Sequence, residues 1–191
     1  MTQGTKILLI VLGIIILVVF AAYSFISGTY NNLVTLDEGV KTSWAQVENQ
    51  LQRRYDLIPN YVETVKGYAK QERKVFIEVT KARAMVGSST AIPDKIQANN
   101  ELSNALSRLL VVVERYPDLK SNQNFIRLQD ELAGTENRIA TERRRYNETV
   151  KIYNIKLRSF PSNIIGGVFG FEKAALFEVA EAVKAAPEVK F

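Results

Sequence analysis

Residues 7–22 read ILLIVLGIIILVVFAA, and Tyr23, Ser24, Phe25 and Ile26 extend the run. No charged residue occurs from Ile7 through Leu36. A helix of about 20 such residues crosses the hydrocarbon core of a bilayer, so residues 7–26 form a transmembrane helix candidate. A cleaved signal peptide is the competing reading, with Lys6 as its positive flank and Ala22 and Ser24 as small residues near a cleavage site. Its apolar core is normally about 7–15 residues, and this run is longer, which favours an uncleaved anchor. No cysteine follows the run, so a lipoprotein anchor is not expected. Lys6 flanks the run on the short side, whereas Asp37 and Glu38 precede Lys41 on the long side. Basic residues favour the cytoplasm, so the large domain is expected on the outer side.

The rest of the 191-residue chain suffices for one domain of ordinary size. It holds neither cysteine nor histidine. Disulfides, thiolate metal sites, imidazole ligands and the commonest general base are therefore ruled out. The net charge of +5 fits solubility or attraction to anionic headgroups, and does not call for nucleic acid.

Beyond a short polar linker, SGTYNN, apolar residues recur at helical spacing: Leu36, Val40, Trp44, Val47, Leu51, Tyr55, Ile58, Val62, Val65, Ala69, Phe76 and Val79. The steps are three or four, with one longer gap across Glu72. That pattern belongs to a bundle or coiled coil. The stripe keeps its phase through Pro59, which predicts a kinked but continuous helix; a hairpin there, with Asp56 as cap, is the alternative. Residues 86–95, VGSSTAIPDK, read as a turn-rich connection. Leu102, Leu106, Leu109, Val113 and Tyr116 mark a further helix, ended by YPDLKSN, where Ser121 or Asn122 can cap the next. That next helix carries Phe125, Leu128, Leu132, Ile139, Tyr146, Val150, Tyr153 and Leu157, with a polar interruption at Thr135 or Glu136 and again at Glu142. Residues 159–171, SFPSNIIGGVFGF, read as a short apolar loop. A C-terminal helix with Leu176, Val179, Ala180 and Val183 on one face is expected to follow.

The resulting expectation is an all-α chain: an N-terminal transmembrane helix, then a long antiparallel four-helix bundle. Its divisions are a flank at 1–6, a membrane span at 7–26, a bundle at 27–158, and an apolar loop with C-terminal helix at 159–191.

Little here suggests catalysis. GGVFGFEK has glycines and Lys173, but neither the preceding strand nor the spacing of a phosphate loop. Ser88, Ser89 and Ser103 lie near Lys95 in sequence without a spacing that singles out a nucleophile. The sequence NET at residues 147–149 matches a glycosylation acceptor, but lies mid-helix. Arg143, Arg144 and Arg145 fan around the helix axis and form no flat phosphate-reading patch. Arg54, Pro59, Glu63, Glu72, Glu136 and Glu142 form a candidate polar seam. Interhelical ion pairs explain such a seam more simply than a cation or ligand site. Phe160, Ile164, Ile165, Phe169 and Phe171 are candidate interaction residues, facing a neighbouring subunit or the headgroup region.

Three stretches resemble the LemA family: YNNLVTLDEGVKTSWAQVENQLQRRYDLIPNYVETVKGYAKQE, LLVVVERYPDLKSNQNFIRLQDELAGTENRIATERRRYNETVKIYN, and FPSNIIGGVFGF with the terminal PEVKF. The resemblance spans about residues 30–191. It implies a bacterial membrane-anchored helical bundle without an established activity, described with its domain on either side of the membrane. It supplies no catalytic residues and no cofactor.

Three functions are weighed. One is a self-assembling scaffold or adaptor of the cell envelope, with the lipid bilayer, further copies of itself and other envelope proteins as partners. The second is a membrane-tethered ligand- or ion-sensing module. The third, an enzyme, lacks its usual acid–base and nucleophile partners.

Overall fold

The computed structural model describes residues 3–178. Its elements are α1 (Gln3–Tyr68), α2 (Arg73–Ser88), α3 (Ile92–Val113), α4 (Pro117–Lys120), α5 (Gln123–Arg158) and α6 (Ser162–Val168). No strand occurs among the described residues, as the helical periodicity requires.

Helix α1 runs unbroken through two places where the sequence suggests interruption. The polar stretch at residues 27–32, expected as a linker, is helical. The Ser27 hydroxyl donates to the Ser24 carbonyl and the Thr35 hydroxyl to the Asn31 carbonyl, so these side chains bond back along the helix. Leu33 is fully buried, which holds the following turn in place. Pro59 also lies inside α1, excluding a hairpin at that point. Asp56 caps nothing there; its carboxylate accepts from the Gln52 amide at 2.9 Å. The chain turns instead at residues 69–72, where the apolar stripe skips a step. The helix expected to continue to Val79 is thus two helices, α1 and α2.

The described chain divides into two compact units. One comprises Ser43–Glu148 with Ala175–Phe191. Within it, α1, α2, α3 and α5 share one core: Ile58, Val65, Phe76, Leu102, Leu109 and Phe125 are among its buried members. Connections as short as residues 69–72 and 89–91 make sequential helices antiparallel neighbours, which gives the expected four-helix bundle. Pro93 stands in the first turn of α3, where its missing N–H costs nothing. Asn122, one of the two expected caps, accepts from the backbone N–H groups of Asn124 and Phe125 at 2.9 and 3.1 Å.

The other unit comprises Met1–Thr42 with Thr149–Ala174. Here the N-terminal apolar part of α1 is exposed from Leu9 to Phe25, as a membrane-spanning segment is without its lipid. Leu33, Val40, Val150, Tyr153, Leu157 and Ile165 form the buried part. Residues 159–171, expected as a loop, contain helix α6. Gly166 allows α6 to close on α5: a Cβ at this position would lie 2.4 Å from the Leu157 side chain. Gly170 ends the segment at a φ of 73°, a left-handed conformation that suits glycine.

Residues 171–178 have no regular secondary structure. The helix expected from Glu172 therefore does not begin there, because hydrogen bonds to α5 side chains, described below, occupy its backbone. Val179, Ala180, Val183 and the terminal PEVKF lie outside the described residues.

Candidate functional site

Arg54 is the bundle's most unusual side chain, a charged residue only 1% exposed. It sits on the apolar stripe side of α1, so the helix turns it inward. Burial of a charge requires compensation, and three side chains supply it. Nη1 donates to Ser103 Oγ and to Glu136 Oε1, both at 2.8 Å. Nη2 donates to Asn99 Oδ1 at 2.6 Å and to the Asn99 carbonyl at 3.3 Å. Asn99 is fixed in turn by its own amide donating to the Lys95 carbonyl at 2.8 Å. Arg54 Nε alone has no partner among the described residues. The clasp joins α1, α3 and α5. Its α3 members, Asn99 and Ser103, are one helical turn apart, so both face α1.

Two expectations meet here and one falls away. Arg54 and Glu136 come together as the polar seam requires. Thr135 fills the adjacent core position, fully buried, with its hydroxyl turned back to the Glu131 carbonyl. Ser103 is a hydrogen-bond partner of Arg54 rather than a nucleophile near lysine, since Lys95 pairs with Glu48. Asn99 was not singled out in the sequence. An asparagine among polar neighbours on a helix carries no signal until its burial is known.

Pro59 belongs to a second local arrangement. Without an N–H, it leaves the Tyr55 carbonyl one turn earlier without its helical donor. Arg83 of α2 fills that role: its Nε donates to the Tyr55 carbonyl at 3.3 Å. The same guanidinium lies 3.9 Å from the Tyr55 ring centroid, a cation–π contact. The freed carbonyl is thus occupied.

The remaining seam residues stand apart. Glu63 is exposed and pairs with Lys66 within its own helix at 2.6 Å. Glu72 lies at the turn before α2 and pairs with Arg115 at 3.0 Å. Glu142, half-buried, pairs with Arg145 at 2.9 Å. No group of three or more carboxylates converges among the described residues.

Helix α5 grips the segment that follows α6. Asn154 donates to the Ala174 carbonyl at 2.9 Å and accepts from the Ala174 N–H at 3.0 Å. Asn147 does the same to Phe177, at 3.1 and 2.8 Å. Beside them, Tyr153 donates to the Glu172 carbonyl at 2.8 Å and Tyr146 to the Ala175 carbonyl at 2.7 Å. Each Tyr–Asn pair recurs after seven residues of helix, and its partners after three residues of tail. Seven helical residues rise about 10.5 Å, and three residues cover about 10 Å only when extended. Asn147 therefore acts as a backbone clamp, which explains the NET sequence without glycosylation. Phe177 packs against the Trp44 ring at 6.3 Å between centroids and lies under Arg143 at 5.7 Å.

Among the candidate interaction residues of the other unit, Phe160, Ile164 and Phe169 are exposed. Ile165 is instead buried, and Phe171 is half-buried, edge-on to Tyr30 at 5.8 Å. Ile165 points inward because α6 is helical, which turns it about 100° away from its exposed neighbour Ile164.

An uncharged apolar helix, followed by a four-helix bundle whose buried charge is held by its own neighbours, defines a membrane-anchored helical-bundle protein. The family model of the LemA family matches residues 43–191, and the chain belongs to that family. It is 26% identical to magnetosome protein MamQ 2 of Paramagnetospirillum magneticum, over 89% of this chain and 71% of that protein. It is 24% identical to magnetosome protein MamQ of Magnetospirillum gryphiswaldense, over 93% and 74% of the two chains. Protein LemA of Metamycoplasma hominis is 21% identical over 87% of this chain and 76% of its own length.

Proposed function

We propose that the chain is a non-enzymatic scaffold or adaptor of the bacterial cell envelope, self-assembling on the membrane with its bundle on the outer side. The observation that carries this reading is helix α1, one uninterrupted element from Gln3 to Tyr68 that both provides the apolar span and supplies Arg54 to the bundle. A helix of that kind transmits position rather than chemistry. The buried polar groups are used in internal contacts, Arg54 with Asn99, Ser103 and Glu136, which gives them structural work. Relatives named for the magnetosome support a part in a larger cell structure. The alternative of a sensing module draws on a cleft of about 360 Å³ lined by Glu48, Tyr55, Lys95 and Asn99. Its polar groups already pair within the bundle, which favours the scaffold.

Light scattering of the full-length protein in mild detergent tests self-assembly. A large, defined particle is the expected result. A monomer at every concentration overturns self-assembly and leaves the adaptor reading to crosslinking in membranes.

A further inference from the structure

Helix α6 lies against the end of the membrane span. Phe25 and Ile26 of α1 line an open apolar cleft of about 270 Å³ together with Pro161, Ile164, Val168 and Phe169. A helix rises 1.5 Å per residue, so a hydrocarbon core of about 30 Å entered near Ile7 is left near Ile26. The cleft therefore sits at the level where α1 leaves the hydrocarbon.

The outer surface of this segment is apolar as well. Phe160 is 81% exposed and Val168 76%. Ile164 and Phe169 are also exposed. No charged residue occurs from Ser159 through Phe171. Charges resume immediately on both sides, at Arg158 before the segment and at Glu172 and Lys173 after it, and all three are exposed. An apolar surface continuous with a membrane span and flanked at both ends by exposed charged residues matches the boundary between acyl chains and headgroups. Tyr30, whose ring lies 4.8 Å from that of Phe169, fixes the segment to α1. Gly166 keeps it close to Leu157. The surface is held in place rather than left as a loose loop.

We propose that α6, with Phe160 and Phe169, is a second membrane contact. It inserts into the interfacial layer of the leaflet that α1 leaves, and its cleft takes a lipid acyl chain. The inference rests on membrane anchoring alone and holds whether or not the chain self-assembles.

The chain has no cysteine, so single cysteines can be introduced for labelling. Phe160→Cys and Val168→Cys, each carrying an environment-sensitive fluorophore, are compared with Ile77→Cys, an exposed position in the other unit. The full-length protein is reconstituted into phosphatidylcholine–phosphatidylglycerol vesicles with nitroxide-labelled lipids. Positions 160 and 168 should show blue-shifted emission and lose most of it to nitroxides placed high on the acyl chain, while position 77 loses little. Water-like emission unaffected by the nitroxides overturns the proposal. Blue-shifted emission that the nitroxides do not quench also overturns it, since a second protein copy then covers the surface.

Discussion

Arg54 and Glu136 form one ion pair with unequal surroundings. The Arg54 side chain is 2% exposed and that of Glu136 42%. Removing the carboxylate leaves a buried cation held only by neutral acceptors. Removing the cation leaves a carboxylate that turns to water, with Asn99 Oδ1 and Ser103 Oγ short of a donor. Glu136→Ala is therefore expected to cost toward the low end of the about 3–5 kcal/mol typical of a broken buried pair, because water reaches Glu136. Arg54→Met, which keeps the volume apolar, is expected to cost about 1–3 kcal/mol for the unsatisfied amide. The double variant should be more stable than Glu136→Ala alone. Urea unfolding of the three variants checks this order, and strictly additive losses would refute it.

At the scale of the elements, Pro59 bears on α1 and Arg83 answers from α2. Arg83→Met removes the donor to the Tyr55 carbonyl and the cation–π contact, and should cost about 1–2 kcal/mol. Pro59→Ala restores a backbone N–H for that carbonyl, so the same Arg83 change should cost clearly less in its background. Equal costs in both backgrounds would show that Arg83 does not substitute for the missing helical donor. The proline was legible in the sequence because the apolar stripe kept phase through it. The turn at residues 69–72 left a trace too, the skipped step across Glu72. The polar linker at residues 27–32 misled because composition outweighed register: Leu33 and Val40 bury on the same helix, and nothing in between forbids its continuation. Residues 172–178 misled differently. Their own spacing suits a helix, but Asn147 and Asn154 on α5 take up their backbone groups. The seam was half legible. Charged residues on an apolar stripe reveal themselves, which found Arg54 and Glu136, whereas Asn99 becomes visible only when a neighbouring helix packs over it.

For the whole molecule, the buried tyrosines set a limit at alkaline pH. Burial pushes the Tyr61 phenol up to about 12 from a usual value of 10.0. Burial raises Tyr146 and Tyr153 as well, and the nearby Asp37 carboxylate adds to the rise at Tyr153. A folded chain that holds these protons while the unfolded chain releases them loses stability as pH rises. The Tyr61 contribution is intact below about pH 10 and declines as pH climbs through about 12, and those of Tyr146 and Tyr153 decline in the same direction. The three differ in what the hydroxyl does. Those of Tyr146 and Tyr153 donate to backbone carbonyls, so Tyr146→Phe should cost about 0.5–1.5 kcal/mol at pH 8. The Tyr61 hydroxyl has no hydrogen-bond partner among the described residues, so Tyr61→Phe loses no bond. It should match or exceed the parent in stability at pH 8 and lose less between pH 8 and pH 11. Comparison with the parent cancels every group the two proteins share. Thermal unfolding followed by circular dichroism at the two pH values measures the difference. An identical alkaline loss in Tyr61→Phe and the parent would mean that this phenol ionises as readily in the folded bundle as in the unfolded chain.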